Sequence, residues 1–465
     1  MQEGSLSKII WVLLLSFALG SCVHNGKVKT KPQKEQYTPE NALIEGLNNY
    51  YVGNFDLSYR LLNRVDEEFN RSSESENILT KSIKLIVTTL INDKVVEYKP
   101  WYYERSLINT FKGVDLLLEN KLEKSRVEFN RAQVREEESA QEFKEEINKQ
   151  QEEALKQIEN NKKAKQEITK STLERGVNYI ISQYKTSLTL FKAYRDFQNP
   201  FINYIYGVYL ENVGDFQKAT NQLKKCLGMV QGDEPADKIV SRDLTFSAEE
   251  QSKPFPSTPK RTVWVFLFNG RIGERVEKRI DLPLFLVSKK VIYTGLALPD
   301  IKPGEVAVPY VVVETPSRSM RTKRLVDLDR LQFTEFRKRL PTIALKATVK
   351  AALYTVLQAK TKSEILKLVE AFTQYATNQA DTRQWKNLPK EIQVLRVELT
   401  DSERELKVER PDGTVMCTVT PKGSENYLVF VNIGTPQDPG TCFTKVIGGR
   451  DDEKSIPSPA VYSSK

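Results

Sequence analysis

The sequence predicts an α+β protein: a helical half bearing a long charged helical projection, then a β-rich half with one inserted helix. Three observations predict it. Small and large apolar residues recur three times at one fixed spacing before residue 232. From Arg135 to Lys170 the chain is almost all charged or amide residues, with no Pro or Gly, as a long helix requires. Near Arg261 the hydrophobic period changes from helical to alternating.

In chain order, the first element is a leader. Lys8 precedes the apolar run Ile9 to Leu19. That run is too short to cross a core of ~30 Å as a helix, but it suits the apolar region of a secretory signal. It ends in Leu19-Gly20-Ser21-Cys22, which is similar to a bacterial lipobox. The small residues suit a peptidase cleft, and Cys22 becomes the lipidated first residue of the mature chain. The expectation is a signal peptide over 1–21 and a flexible tether over 22–37, polar and rich in Lys. Several acyl chains make such an anchor stable, at ~0.8 kcal/mol per buried CH₂. Val23, where an aspartate favours inner-membrane retention, points to the outer membrane.

Residues 38–232 are expected to form the helical domain. Thr38-Pro39 reads as an N-cap followed by proline at the first helical position. The repeating set is Gly46, Gly53, Phe55, Ser58, Leu62 and Val65; then Gly113, Asn120, Leu122, Ser125, Phe129 and Ala132; then Gly207, Gly214, Phe216, Ala219, Leu223 and Cys226. This spacing is similar to the tetratricopeptide repeat: small residues where two antiparallel helices cross, a residue able to reach positive φ at the turn, and large apolar residues along the seam. The repeats begin at 46, 113 and 207 and are not tandem. A helix around Ile78 to Ile91 is expected in the first gap. In the second, residues 136–175 are expected to project as a helix or hairpin, because Phe143, Ile147, Leu155 and Ile158 make only a thin apolar stripe. Disorder is expected near Asn160-Asn161.

Residues 233–260, rich in Pro, Ser and acidic residues, read as a linker, and 261–448 as the β-rich domain. Arg261 to Phe268 is a strand ending at the turn signal Asn269-Gly270. Further strands are expected over 276–282, 291–298, 306–313, 392–399, 405–409, 415–419 and 427–433, a helix over 333–378, and a disordered tail over 449–465. Cys226 occupies an apolar repeat position. Cys417 and Cys442 stand 25 residues apart, and they are either a disulfide, which an oxidising compartment permits, or two buried thiols.

Several stretches together resemble one family: Tyr102-Tyr103-Glu104-Arg105, Arg126 to Ala132, Asn199-Pro200-Phe201, Leu340-Pro341-Thr342-Ile343-Ala344, and Asp381-Thr382-Arg383-Gln384-Trp385 with Leu388-Pro389 and Glu391 to Val394. The chain is similar here to the uncharacterised tetratricopeptide-type lipoproteins of Gram-negative bacteria, over most of residues 38–445. That family is often encoded beside a lipoprotein resembling activators of penicillin-binding proteins, which implies an envelope role. The Lys-rich arm and a less apolar helix after Ala344 depart from the family.

The composition narrows the chemistry. The single histidine, His24, lies near the N-terminus, outside any expected domain. A Ser-His-Asp triad, a Cys-His dyad and a multi-histidine metal site are therefore excluded. No Walker loop, dinucleotide fingerprint or paired-cysteine zinc motif occurs, so neither cofactor nor metal is expected. The net charge of +9, from 70 Lys plus Arg and 61 Asp plus Glu, favours anionic surroundings. The export signal argues against nucleic acid. Asp381, Arg383 and Trp385 are read as a helix end, with Asp381 capping, Arg383 forking to carbonyls or a carboxylate, and Trp385 packing a junction; the competing reading makes Asp381 a general base. Arg318, Arg321, Lys323 and Arg324, with Arg337, Lys338 and Arg339, form a basic cluster for anionic lipid or cell wall, or a solvated face. The expected function is that of a non-enzymatic adaptor anchored in the outer membrane. It would face the periplasm, gripping an envelope protein with its helical half and touching protein or peptidoglycan with the other. The rival is a carboxylate-dependent enzyme or binding module acting on the cell-wall polymer.

Overall fold

Thr38 starts the first helix by accepting the Asn41 N–H on its Oγ1 at 3.1 Å, with Pro39 in the first turn, where no donor is needed. The computed structural model describes residues 37–74, 98–190, 194, 196–283, 293–357 and 379–448. Expectations for the leader, most of the tether, the helix around 78–91 and the tail lie outside the described residues.

Three helical hairpins follow the repeat spacing: α1 (Pro39–Tyr51) with α2 (Phe55–Glu74), α3 (Tyr102–Leu118) with α4 (Leu122–Glu159), and, after three short helices, α8 (Pro200–Asn212) with α9 (Phe216–Val230). The intervening helices are α5 (Lys162–Glu167), α6 (Lys170–Ser182) and α7 (Lys185–Leu190). Each hairpin turn carries one left-handed residue at the matching position, Gly53 (φ 83°), Asn120 (φ 63°) and Gly214 (φ 79°). At each crossing a glycine faces the large apolar residue sixteen positions on. A Cβ on Gly46 would lie 2.8 Å from Leu62, on Gly113 2.6 Å from Phe129, and on Gly207 2.8 Å from Leu223. Ala219 is fully buried in the third seam. Gly207→Leu should therefore destabilise by ~1–3 kcal/mol through overpacking. Gly214→Val should cost roughly 1 kcal/mol or more, because a β-branched residue resists positive φ. Unchanged melting temperatures in both variants would remove the basis for this register.

The charged segment 136–175 does not project. Phe143 packs against Tyr102 and Phe197 at ring distances of 5.8 and 5.1 Å. Farther along α4, Gln151 donates to Thr342 Oγ1 at 2.8 Å. Ala154 and Ile158 join a core with α5, α6 and the long helix α11 (Leu328–Leu357). The stripe is thin, but α11 supplies the matching face, and polar pairs complete the contact. Asn160-Asn161 is an ordered corner: Asn160 closes α4 and Asn161 caps α5, accepting the Ala164 N–H at 3.1 Å. The expected linker carries a helix, α10 (Ala236–Gln251), whose Phe246 meets Phe216 of α9. Its buried positions, Ala236, Val240, Asp243, Ser247 and Glu250, are small or polar. They leave almost no apolar stripe to read.

The β-rich half is not a separate domain, because residues from Thr38 onward form one unit. Its main sheet has the order β11-β10-β1-β7-β6. The strands are β1 (Thr262–Asn269), β6 (Lys323–Asp327), β7 (Glu391–Glu398), β10 (Asn426–Ile433) and β11 (Thr441–Ile447). β1 and β10 run parallel, and the other pairs are antiparallel. Every residue of β1 and β10 is buried, because both faces are covered. Phe266 and Phe268 face the first helices of the hairpins: Tyr50 and Phe111 lie 6.1 and 5.6 Å from Phe268, and Phe201 lies 6.0 and 5.6 Å from Phe266 and Phe268. All 17 residues of α3 and all 13 of α8 are buried as a result.

The opposite face, Val263, Val265, Leu267, Val429 and Val431, packs on a smaller sheet of order β5-β4-β8-β9. Its strands are β4 (Val312–Glu314), β5 (Ser319–Arg321), β8 (Leu406–Glu409) and β9 (Val415–Val419). Cys417 of β9 and Cys442 of β11 are bonded, Cα to Cα 6.1 Å, which staples one edge of the two sheets. A hairpin of β2 (Glu274–Pro283) and β3 (Tyr293–Lys302) shares the core of α6 and α11. The strand expected over 306–313 shrinks to β4. Ala307 and Val308 instead give their N–H groups to Asn269 Oδ1, both at 3.1 Å. The helix expected from 333 begins at Leu328, and residues 358–378 lie outside the description.

Candidate functional site

The stretches that carry the family resemblance are far apart in sequence, yet four of their residues meet at the start of α3. Glu104 is the centre and is fully buried. It sits at the third position of α3, where an acid reaches back to the N-cap backbone, and its Oε2 accepts the Trp101 N–H at 2.6 Å and the Tyr98 hydroxyl at 3.1 Å. Its Oε1 accepts the Tyr103 hydroxyl at 3.2 Å and the Trp385 N–H at 2.9 Å, and it pairs with Arg275 at 3.1 Å. Arg275 lies 3.5 Å over the Trp101 ring and donates to the Arg383 carbonyl at 2.7 Å. Burial raises the phenols of Tyr98 and Tyr103, and the neighbouring Glu104 raises them further.

A second carboxylate completes the helix start. Glu335 of α11 accepts the free N–H groups of Tyr102 and Tyr103 at 3.1 and 3.2 Å. It also pairs with Arg339 at 2.7 Å, and Arg339 reaches Glu146 of α4 at 2.8 Å. Burial pushes Glu146 up, but Arg339 and Arg105 pull it down to about 2. The line Arg275, Glu104, Glu335, Arg339, Glu146 thus ties hairpin strand β2, α3, α11 and α4 together.

The Asp-Thr-Arg-x-Trp block lies in the loop before β7. Asp381 holds Arg383 in a two-point pair, both contacts at 2.8 Å. Asp381 also accepts the Arg383 N–H at 3.2 Å, so it closes a turn and does not cap a helix. Gln384 accepts the Arg275 N–H at 2.7 Å and donates to the Gly273 carbonyl at 3.0 Å. Trp385 is fully buried against Phe111, with ring centroids 5.8 Å apart. A parallel knot ties α8, α10, β1 and β7: Asp243 accepts from Tyr204 (2.5 Å), Trp264 (3.3 Å) and Arg396 (2.8 Å).

The basic cluster disperses into pairs. Arg318 binds Glu403 at 2.7 Å, a contact that holds the Glu403 carboxyl well below the usual range. Arg321 covers the Tyr310 ring, Lys338 pairs with Asp196 at 2.7 Å, and Arg339 is buried in the line above. Arg318, Arg321, Lys323, Arg324, Arg337 and Lys338 are exposed, as the solvated-face reading expects, and of the seven Arg339 is the buried one.

Two clefts of about 530 and 540 Å³ flank α4. In the first, Glu137 pairs with Lys225, Asp196 pairs with Lys338, and buried Glu136 accepts from Ser106 Oγ at 2.6 Å and the Asn199 N–H at 2.8 Å. Burial pushes Glu136 up to about 8. In the second, Glu142 and Glu146 face Arg105 and Arg339. Among the described residues no group of His, Cys, Asp and Glu is placed to hold a metal ion, and no helix is long and apolar enough to cross a membrane. Cys226 is a buried thiol whose Sγ lies 3.2 Å from the Pro200 carbonyl oxygen.

Sequence reading found the motif stretches but missed the acid–base partners. Glu104 had a usable signal, an acid three residues into a helix. Arg275 had none, since a lone arginine in an alternating strand looks solvated. No family model, curated protein or solved structure matches the chain.

Proposed function

We propose that this chain is a lipid-anchored, outer-membrane protein facing the periplasm, a non-catalytic adaptor of tetratricopeptide type serving envelope or cell-wall assembly. The observation that carries the reading is the Leu19-Gly20-Ser21-Cys22 stretch behind its apolar run. Support for a non-catalytic role comes from Asp381 and Arg383, which pair with each other, and from the Trp385 ring, which is buried against Phe111. The rival enzyme on the cell-wall polymer would need two carboxylates ~5 to ~9 Å apart and open to substrate. Glu136, Glu137, Glu142 and Glu146 are already matched by lysines, arginines or hydrogen-bond donors, while Glu138 and Glu145 line the second cleft on its exposed side.

The adaptor differs from the one expected in where it binds. A repeat domain usually grips its partner with the inner face of its first helices. Here β1 and β10 cover that face, and α3 and α8 are buried along their whole length. The partner is an envelope protein meeting the outer helices, where Lys218 and Lys224 of α9 are exposed. In-cell crosslinking of the lipidated protein tests this, with a photoreactive side chain placed at 218 and 224. One discrete adduct from both positions, also recovered by pull-down, is expected. Absence of any adduct at both positions contradicts the adaptor reading.

A further inference from the structure

Between α10 and β1 the chain makes a small loop, Ser252-Lys253-Pro254-Phe255-Pro256-Ser257, with an aromatic at its apex. Phe255 is 91% exposed, the most exposed large apolar side chain among the described residues. The loop is pinned on both sides of that apex by one carboxylate. Glu250 pairs with Lys253 Nζ at 2.5 Å on the near side and accepts the Ser257 N–H at 2.9 Å on the far side. Below it, Pro259 is buried and its carbonyl accepts Asn426 Nδ2 at 2.6 Å. Two prolines restrict the backbone around Phe255. The ring is therefore held outward at little further entropic cost, rather than left to sample the surface.

The loop's chemistry favours one kind of partner. A protein-binding anchor residue sits in a wider contact patch that excludes water around it. Phe255 instead stands among exposed Ser252, Lys253, Ser257 and Lys260. With Lys253 held by Glu250, the exposed lysine beside the aromatic ring is Lys260. An aromatic with a nearby lysine suits a bilayer interface, where the ring enters the headgroup level and the ammonium meets a lipid phosphate. We infer that the Pro254-Phe255-Pro256 apex inserts into the headgroup region of a lipid bilayer and orients the folded body upon it. This rests on the lipid-anchor reading. Sixteen residues, 22–37, separate the proposed anchor from the first helix, and a second contact fixes which face meets the membrane.

The test uses the full lipidated chain carrying Phe255→Trp, reconstituted into vesicles of phosphatidylethanolamine and phosphatidylglycerol with bromine on the acyl chains. Trp264 and Trp385 are fully buried and Trp101 is partly buried, and the Phe255 parent, which keeps all three, supplies their background. The expected result is a blue-shifted emission from the new indole and its quenching by the brominated lipid, with the Phe255 parent unquenched. Protein that floats with the vesicles while the new indole keeps a water-exposed, unquenched spectrum overturns the inference and leaves the anchor standing. Protein that does not float overturns both.

Discussion

Glu104→Ala lowers the stability of the folded body by about 3–5 kcal/mol, the cost of leaving a buried charge without its partner. The substitution removes the acceptor of four hydrogen bonds and strands Arg275, which is 6% exposed. Among the described residues no other carboxylate pairs with that guanidinium. Because the pair joins α3 to β2, the loss is expected in a single transition that takes helices and sheets together. Replacing both partners, Glu104→Leu with Arg275→Met, should cost clearly less than the sum of the single changes, since an apolar pair has no charge to strand. Denaturant midpoints read by far-ultraviolet circular dichroism check this. Two separate transitions, or single-variant losses below 1 kcal/mol, would contradict the picture of one body held by a buried ionic line.

Cys417→Ser with Cys442→Ser should cost roughly 3 kcal/mol in the chain-entropy model, for a loop of about 25 residues. The bond spans two sheets: β9 lies at the edge of the smaller one and β11 at the edge of the larger. Its removal should first loosen that edge of the Val263–Val429–Met416 core, while the α1–α4 helices keep their contacts. Cys226 should remain free and react slowly, because burial raises its thiol well above the usual value. Mass spectrometry of non-reduced peptides from exported protein checks the pairing. Alkylation of both Cys417 and Cys442 without prior reduction, or either one linked to Cys226, would refute it.

The hairpins were readable in the sequence because their chemistry is local. A glycine at a crossing, a residue able to take positive φ seven positions on, and a large apolar residue sixteen positions on are all set by two adjacent helices and one turn. The strands β1 and β10 were readable for a similar reason, since burial on both faces makes them nearly continuous apolar runs, and β7 was readable from its β-branched apolar residues Ile392, Val394 and Val397. The α4 arm was misread because its stripe looks too thin in isolation. What completes it, Thr342 and Arg339 of α11, lies nearly two hundred residues away. α10 was missed because its interior contacts are polar: Asp243 is fully buried, yet it is paired with Arg396, Tyr204 and Trp264. The Asp381–Trp385 block could be recognised as distinctive, but whether it does chemistry or holds the fold depends on Glu104 and Arg275. Neither stands near it in the chain.

Cys22 is the residue on which the proposed function depends. It is the cysteine that follows a signal-like apolar run and small residues, and the adaptor reading and the membrane contact of Phe255 both presuppose its acylation. The direct measurement is mass spectrometry of the mature N-terminal peptide from exported protein, alongside membrane fractionation of Cys22→Ala. The account predicts a mature chain beginning at Cys22 with a thioether-linked diacylglycerol, found in the outer membrane, and an uncleaved Cys22→Ala precursor absent from it. An unmodified N-terminus at another residue, or normal outer-membrane fractionation of Cys22→Ala, would contradict it.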